Sequence, residues 1–353
     1  MGNTKAKLLA FWRRDFRRRA VAGGLDVAGV LARAGLMAKA RGRGALFTLH
    51  HVRPKLPQTM ASNAHLEVTP EFLDAAIVQL KSEGYDFIPL ADVPERMAKP
   101  SGRPFAVFTL DDGYRNNQQY ALPVFARHSV PFTVFIAAGF AERTHSLWWE
   151  TLAVLLGREK HVSFDFGNGP EVIDLTSDAD KLDAFDRFAR HVRSHEETAA
   201  VAAIDALSRE RGIDPLKITA DLTMGREELK AFAAHPLVSL GAHTISHRAV
   251  GRLTEEDAAE EMLKSAEWLE ALTGARPTTL AYPYGDRISV TERDYQIAAE
   301  LGFTAAVTTQ PGTLGDQVAD RLTGLPRISL NGFFQKPRYV SALASGIPFA
   351  MAR

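Results

Sequence analysis

From about Gly44 onward the chain alternates short β-rich apolar runs with amphipathic stretches of helical period, and this alternation constrains the fold more than any other feature. Parallel strands cannot be joined by tight hairpins, so each needs a crossover, and an intervening helix supplies it. The strand-like runs are ALFTLHH, YDFIPL, FAVFTL, PFTVFIAA, HPLVSLGAH, TTLAYPYG, TAAVTT and LPRISL. FAVFTL is near-continuously apolar, as a parallel strand covered on both faces must be. Between the first two runs, Thr69 as N-cap and Pro70 at the first helical position open a helix. Its Phe72, Leu73, Ala76, Ile77 and Leu80 share one face, and Gly84 closes it. Thr254 and Asp257 have capping-box spacing before a helix from about Glu255 to Leu272, with Gly274 and Pro277 beyond its end. Another helix is expected from about Thr291 to Leu301. About seven strands with helical crossovers predict an α/β fold, an irregular (β/α)7-type barrel related to the TIM barrel.

Two segments depart from the alternation. Between about Arg143 and Phe232 the composition turns helical and charged, which predicts a helical insertion within one catalytic domain spanning 44–353. Residues 1–43 form a basic extension, with Lys5, Lys7, Arg13, Arg14, Arg17, Arg18 and Arg19 around Leu8, Leu9, Phe11 and Trp12. Its apolar stretch is interrupted by Gly23, Gly24 and Asp26, so neither a secretory signal nor a membrane span is expected. Two readings stand for it: a basic amphipathic helix resting on an anionic membrane face, or a solvated helical extension. The expected location is cytoplasmic, with peripheral membrane attachment under the first reading.

Charge and cysteine content narrow the chemistry. Lys plus Arg and Asp plus Glu both number 42, giving a formal net charge of +0. No global field favours nucleic acid, which is excluded as a partner, and a neutral substrate is favoured. No obligate protein partner is predicted. With no Cys in the chain, any metal must be held by His and carboxylates.

Functional groups in such a sheet gather at the carboxyl ends of the strands, where loops surround a cavity. Four motifs occupy that position: His50-His51 after the first run, TLDDG after the third, AHTISH and AYPYG. His243 and His247 are four residues apart, close enough for both imidazoles to meet on a helix or a tight loop. Two imidazoles and one carboxylate make a facial site for a Zn²⁺-like ion with open positions, and Asp112 is the candidate carboxylate. Successive side chains near a strand end point in different directions, so Asp111 is left free as the candidate base for a water activated by the ion. Taken singly, Asp-Gly is also a turn signal, and a histidine pair also caps loops.

TLDDG, HTISH and YPYG resemble, in order, the T-F-D-D-G, H-S/T-x-x-H and R-x-P-Y-G motifs of the NodB-homology polysaccharide deacetylases, carbohydrate esterase family four. The resemblance covers roughly residues 44 to 330 and extends to LHHVRP, VTPEFLDAAIVQLKSEGYDFIPLADV and LPRISL, which look like segments of a cytoplasmic or PgaB-like branch. It implies Asp111 as general base, Asp112, His243 and His247 as ligands of Zn²⁺ or another divalent ion, and the Tyr284 backbone N–H as an oxyanion donor. The implied reaction removes N-acetyl groups from an acetylated carbohydrate, a chitooligosaccharide, poly-N-acetylglucosamine or a lipid-linked glycan, releasing acetate and a free amine.

Three family features are missing. Ala281 stands where the usual Arg orients the base, no Asp-x-x-Asp-Trp follows TAAVTT, and LPRISL lacks the usual histidine. His247 is the last of the 11 histidines, so no downstream His can protonate the leaving amine. The candidates for that proton are His50 or His51, His145, or Asp111 returning what it took; the first-strand pair is preferred, against the alternative that one of them is a satisfied core histidine. Arg327 is a candidate at the substrate, or a brace for Asp111. Trp148 and Trp149 are candidates for a sugar-stacking shelf, or for core packing with Leu147, Leu152, Val154 and Leu155. Two other functions fit the missing acid: an O-acetyl esterase or other amide hydrolase on the same scaffold, and a carbohydrate-binding pseudoenzyme.

Overall fold

The computed structural model describes residues 2–55, 60, 62–99, 102–318 and 320–352, of which residues 2–15 and 317 are described by backbone alone. A long helix α1 (Gly2–Arg33) leads to β1 (Gly44–Leu49), then to the small ladder β2 (His51–Val52) and β3 (Glu67–Val68). There follow α2 (Pro70–Ser82), β4 (Asp86–Phe87), α3 (Val93–Ala98), β5 (Phe105–Leu110), α4 (Leu122–His128), β6 (Phe132–Ile136) and α5 (Ala138–Ala141). The next segment holds α6 (Trp148–Arg158), β7 (His161–Asp165), β8 (Pro170–Asp174), α7 (Asp178–Ser194), α8 (Glu197–Glu210), α9 (Pro215–Leu222) and α10 (Arg226–Ala233). The chain ends with β9 (Val238–Ala242), α11 (Glu255–Thr273), β10 (Thr279–Ala281), α12 (Glu292–Glu300), β11 (Ala305–Val307), β12 (Ile328–Ser329), α13 (Pro337–Ala344) and α14 (Ile347–Met351).

Eight strands form one all-parallel sheet in the order β11-β10-β9-β6-β5-β1-β12, with β4 also paired to β5. A parallel bridge between Val307 and Leu325 brings the β11 edge to the segment that enters β12, which curls the sheet into an irregular (β/α)7-type barrel. The helix starts follow the local chemistry of the sequence. Thr69 Oγ1 accepts from Phe72 N–H at the start of α2, and Thr254 does the same for Asp257 at α11.

Strand alternation sorts the core into two populations. On β5, Ala106, Phe108 and Leu110 pack outward against the helices, with Phe47 and Leu49 from β1 and Val134 and Ile136 from β6. Phe105 and Val107 point into the barrel, beside Leu46, Phe135, Ala281, Ala305 and Val307. Continuing that inward register carries Thr109 and Asp111 to the carboxyl end of the barrel interior. Gly241 is required for the same reason, because a Cβ there would meet Phe135 at 2.5 Å and Thr279 Oγ1 at 2.7 Å.

The segment from α6 to α9 has an apolar core around Leu152, Leu155, Phe164, Phe188 and Ile204, while Leu229 and Phe232 of α10 join the main core. Its helical expectation omits the antiparallel hairpin β7–β8, whose turn is built by Asp165 accepting from the N–H groups of Gly167 and Gly169. YDFIPL shortens to the two-residue β4. Helix α1 packs on α13 through Leu25 and Ala28 against Tyr339 and Ala342. The side chains of Lys5, Lys7, Arg13 and Arg14, and of Leu8, Leu9, Phe11 and Trp12, lie outside the described residues.

Candidate active site

The end of β5 turns sharply. Asp112 and Gly113 adopt φ of 72° and 67°, a left-handed pair that a short polar residue and a glycine tolerate. Thr244 at 63°, His247 at 59° and Tyr284 at 59° are also left-handed, so four of the seven non-glycine residues with positive φ among those described fall in the three site motifs. Strain of this kind persists only where surrounding contacts hold it. For the HTISH loop the holder is Glu261 of α11, whose carboxylate accepts from the N–H groups of Ile245 and Ser246 and from the Ser246 hydroxyl. For the AYPYG turn it is the strand-end loop after β11: Thr309 Oγ1 donates to Tyr284 O, and Thr309 N–H donates to Gly285 O.

Asp112, His243 and His247 converge, each buried, with one ligand atom apiece within 4.8 Å of the others. Asp112 Oδ1 is 3.6 Å from His243 Nε2 and 3.3 Å from His247 Nε2. Two donors each bound at about 2.1 Å with a tetrahedral angle between them stand about 3.4 Å apart, so the spacing suits a Zn²⁺-sized ion. Three further observations fit a cation. Asp112 Oδ1 is buried without a hydrogen-bond donor. His243 Nδ1–H donates to Ala281 O at 2.7 Å, which leaves the Nε2 lone pair facing Asp112 and His247. Nitrogen and carboxylate donors alone make up the set, as a chain without Cys requires.

Asp111 lies beside this triad and is gripped differently. Arg327 donates from Nη1 to Oδ1 and from Nη2 to Oδ2, both at 2.7 Å, a bidentate pair in which neither side chain is more than 4% exposed. The same guanidinium donates from Nε to Thr308 O and from Nη1 to Thr109 Oγ1. Burial alone would raise the Asp111 carboxyl, but the Arg327 charge and its two hydrogen bonds more than offset this and hold it below the usual carboxylate range. Thr48 Oγ1 lies 3.4 Å from Oδ2 and His50 Nε2 lies 3.9 Å from it.

An ionised carboxylate braced by an arginine, next to an aspartate and two histidines spaced for a divalent ion, is an arrangement for hydrolysis. Residues 98–306, more than half of the sequence, match the model of the family described as polysaccharide deacetylase. The chain belongs to the polysaccharide deacetylase family. A stretch of 86 residues is 30% identical to YxkH of Bacillus subtilis, assigned by name to the same group, and spans 24% of this chain and 29% of that relative. The fold is similar to PplD of Streptococcus pyogenes, a deacetylase solved in complex with acetate, at a TM-score of 0.53, 17% identity and coverage of 82% of this chain and 92% of PplD. It is also similar to IcaB of Ammonifex degensii, at 0.54, 16% identity and coverage of 86% and 97%.

The remaining candidates of this deacetylase-family chain separate. His50 keeps 22% of its side chain exposed and faces Asp111, and burial pushes its imidazole below its ordinary value against the pull of Asp111 and Asp112. His51 is corrected. It is fully buried, its ring lies 3.6 Å from that of Tyr114, its Nδ1 meets Asn116 at 2.7 Å, and its Nε2 stands 3.5 Å from Glu150, so it is a core histidine turned away from Asp111. Arg327 is corrected as a substrate contact, because at 1% exposure with its fork on Asp111 it faces no sugar arriving from solvent. His145 bonds the neighbouring Thr144 hydroxyl at 3.0 Å.

Trp148 and Trp149 are 7% and 8% exposed and pack in the insertion core, and both also line the cavity beside His247. Their indole N–H groups donate to the hydroxyls of Tyr284 and Tyr114. Tyr284 in turn donates to Glu197 at 2.7 Å, and Glu197 also accepts from Ala249 N–H. Burial and the Glu197 charge raise the Tyr284 hydroxyl well above its ordinary value, so it stays a donor. Among the described residues no acceptor lies against the Tyr284 backbone N–H. Glu197 and Glu261 position the site yet carry no motif, being distant in sequence from what they hold, whereas Tyr114 directly follows TLDDG. A cavity of about 640 Å³ between α1, α2 and α13 is larger than the one of about 460 Å³ beside His247, but only the second adjoins these groups.

Proposed function

We propose that this chain is a divalent-cation-dependent hydrolase that removes N-acetyl groups from N-acetylglucosamine-containing oligo- or polysaccharide. The observation that carries this reading is the convergence of Asp112, His243 and His247 beside an Asp111 held ionised by Arg327. A Zn²⁺ or similar ion held by the three residues would polarise the acetyl carbonyl and lower the pKa of water at its open position.

The chain's own groups supply the rest. Asp111 takes the proton from the attacking water, and Arg327 keeps that carboxylate charged and aimed. The Tyr284 N–H, without an acceptor among the described residues, donates to the oxyanion as the carbonyl carbon becomes tetrahedral. Cleavage of the carbon–nitrogen bond then needs a proton on nitrogen; His50 delivers it and is recharged by the protonated Asp111, a reading supported by the 3.9 Å between His50 Nε2 and Asp111 Oδ2. The products are acetate and a free amine, and acetate is the molecule found with the fold relative PplD.

The test is acetate release from chitooligosaccharides by the full chain, with and without chelator, beside Asp111→Asn. Release that stops with chelator, returns with added Zn²⁺, and falls by about 10²–10⁴ in the variant is expected. Release indifferent to chelator, release from O-acetylated sugars alone, or sugar binding with no release from any acetylated substrate would each overturn the reading.

A further inference from the structure

Helix α1 has two faces. Leu25 and Ala28 are buried against Tyr339 and Ala342 of α13, and Gly29 lies close to Ala342 as well. Among the described residues nothing covers the opposite face. Phe16, Ala20, Gly23, Val27, Val30 and Ala34 recur at alternating steps of four and three, one helical stripe, and all six are exposed. Phe16 is 72% exposed, Val27 51% and Val30 57%. Six of the twelve large exposed apolar side chains described in the whole chain lie between Phe16 and Met37.

Charge selects the occupant. Residues 2–19 hold seven basic side chains, Lys5, Lys7, Arg13, Arg14, Arg17, Arg18 and Arg19, against the single acidic Asp15. The net charge of the chain is +0, so this excess is local and the remainder carries a matching acidic excess. A second copy of α1 lying along the stripe in parallel would set arginines against arginines. An anionic lipid surface offers what the stripe and its flanks need together: acyl chains for Phe16, Val27 and Val30, and headgroup charge for the local basic excess. No described helix is long and apolar enough to cross a membrane, so the geometry is that of a helix lying in the interface.

We infer that α1 is an in-plane membrane anchor that seats the protein on anionic lipid through the Phe16–Ala34 stripe. The C-terminal end of α1 leads to Gly44, where β1 begins, while Arg18 stacks over Phe333 at 3.6 Å, in the loop that leaves the carboxyl end of β12. The basic half of α1 therefore lies at the same end of the barrel as Asp111 and Asp112. Docking neither requires nor follows from the hydrolase chemistry above.

The full chain is to be sedimented with vesicles of phosphatidylcholine containing about 30% phosphatidylserine, and with phosphatidylcholine alone. It should pellet with the first and not the second, and should be released by about 0.5 M salt. A Phe16→Asp/Val27→Asp double variant should bind at least about tenfold more weakly, and each Arg13→Gln or Arg17→Gln change should cost about fivefold. Both aspartates enter exposed positions, so the thermal midpoint and acetate release from soluble substrate should match the parent. Failure to pellet with anionic vesicles, undiminished binding by the double variant, or a solution dimer that the double variant dissolves would each overturn the inference.

Discussion

Replacing Arg327 with Ala should damage stability and catalysis together, and the structure sets the scale of both. The guanidinium makes two 2.7 Å bonds to Asp111 and two more to Thr308 O and Thr109 Oγ1, all inside the barrel. Removing one partner of a buried pair leaves an uncompensated charge, which costs about 3–5 kcal/mol. Urea unfolding of the chelated protein measures this cost without a contribution from bound metal. The sign with pH follows from the direction of the Asp111 shift. A carboxylate depressed in the folded state contributes stability that is full above its unfolded pKa, about 3.9, and is lost as pH falls through the lower folded value. The deficit of Arg327→Ala should therefore be steady at neutral pH and shrink in acid. In acetate release, kcat should drop by about 10²–10⁴ as the base loses its charge and aim. Ala281 faces the same barrel interior, beside Phe135 over which Arg327 lies. An Ala281→Arg change added to Arg327→Ala should return part of the stability and part of kcat, whereas Ala281→Arg alone should overpack. An Arg327→Ala protein with parental stability and kcat would refute the brace, and a double variant no better than the single would refute the exchange of one arginine position for the other.

Three further outcomes are expected. Adding Zn²⁺ to chelated protein should raise its thermal midpoint, by about 2.7 kcal/mol of stabilisation at a hundredfold excess over Kd, and Asp112→Asn should abolish that rise while leaving a folded chain. His50→Ala should depress kcat and flatten the pH–rate profile, whereas His51→Ala, at a buried site packed on Tyr114, should lower the thermal midpoint more than it changes the shape of that profile. Arg115 grips Glu228 with two hydrogen bonds and so lowers its carboxyl to about 2. Parent and Glu228→Gln should differ in thermal midpoint by a steady amount above about pH 5 and converge as pH falls from the ordinary 4.5 toward about 2.

What was legible in the sequence follows from how locally each feature is specified. The parallel sheet could be read because burial on both faces writes itself into consecutive residues, as in FAVFTL, and the helix starts at Thr69 and Thr254 because a cap needs only its own first turn. The convergence of Asp112, His243 and His247 could be read because each motif sits at a strand end, and strand ends in a parallel barrel all face one way. Orientation within a motif was less legible. His50 and His51 are neighbours in the same dipeptide, and which of them enters the cavity depends on where β1 stops and β2 begins, a single-residue matter that alternation cannot fix once the strand has ended. Trp148 and Trp149 have the composition of a sugar platform and line the cavity beside His247, but composition could not show that they also pack into the insertion core and hold Tyr284 and Tyr114 through their N–H groups.

Arg327 shows why motif positions are not the unit of function. A barrel interior is a shared volume, and a long side chain can enter it from any inward-facing position whose stem reaches the same point. Ala281 on β10 and Arg327 at the foot of β12 both face that interior, one small and one long, so the small residue leaves room that the long one fills. What chemistry requires is a guanidinium against both oxygens of Asp111, not an arginine two residues before a Pro-Tyr-Gly turn. The missing arginine of one motif is therefore the present arginine of another strand, and the same reasoning directs the search for the missing acid away from the end of β12 and toward His50 across the cavity.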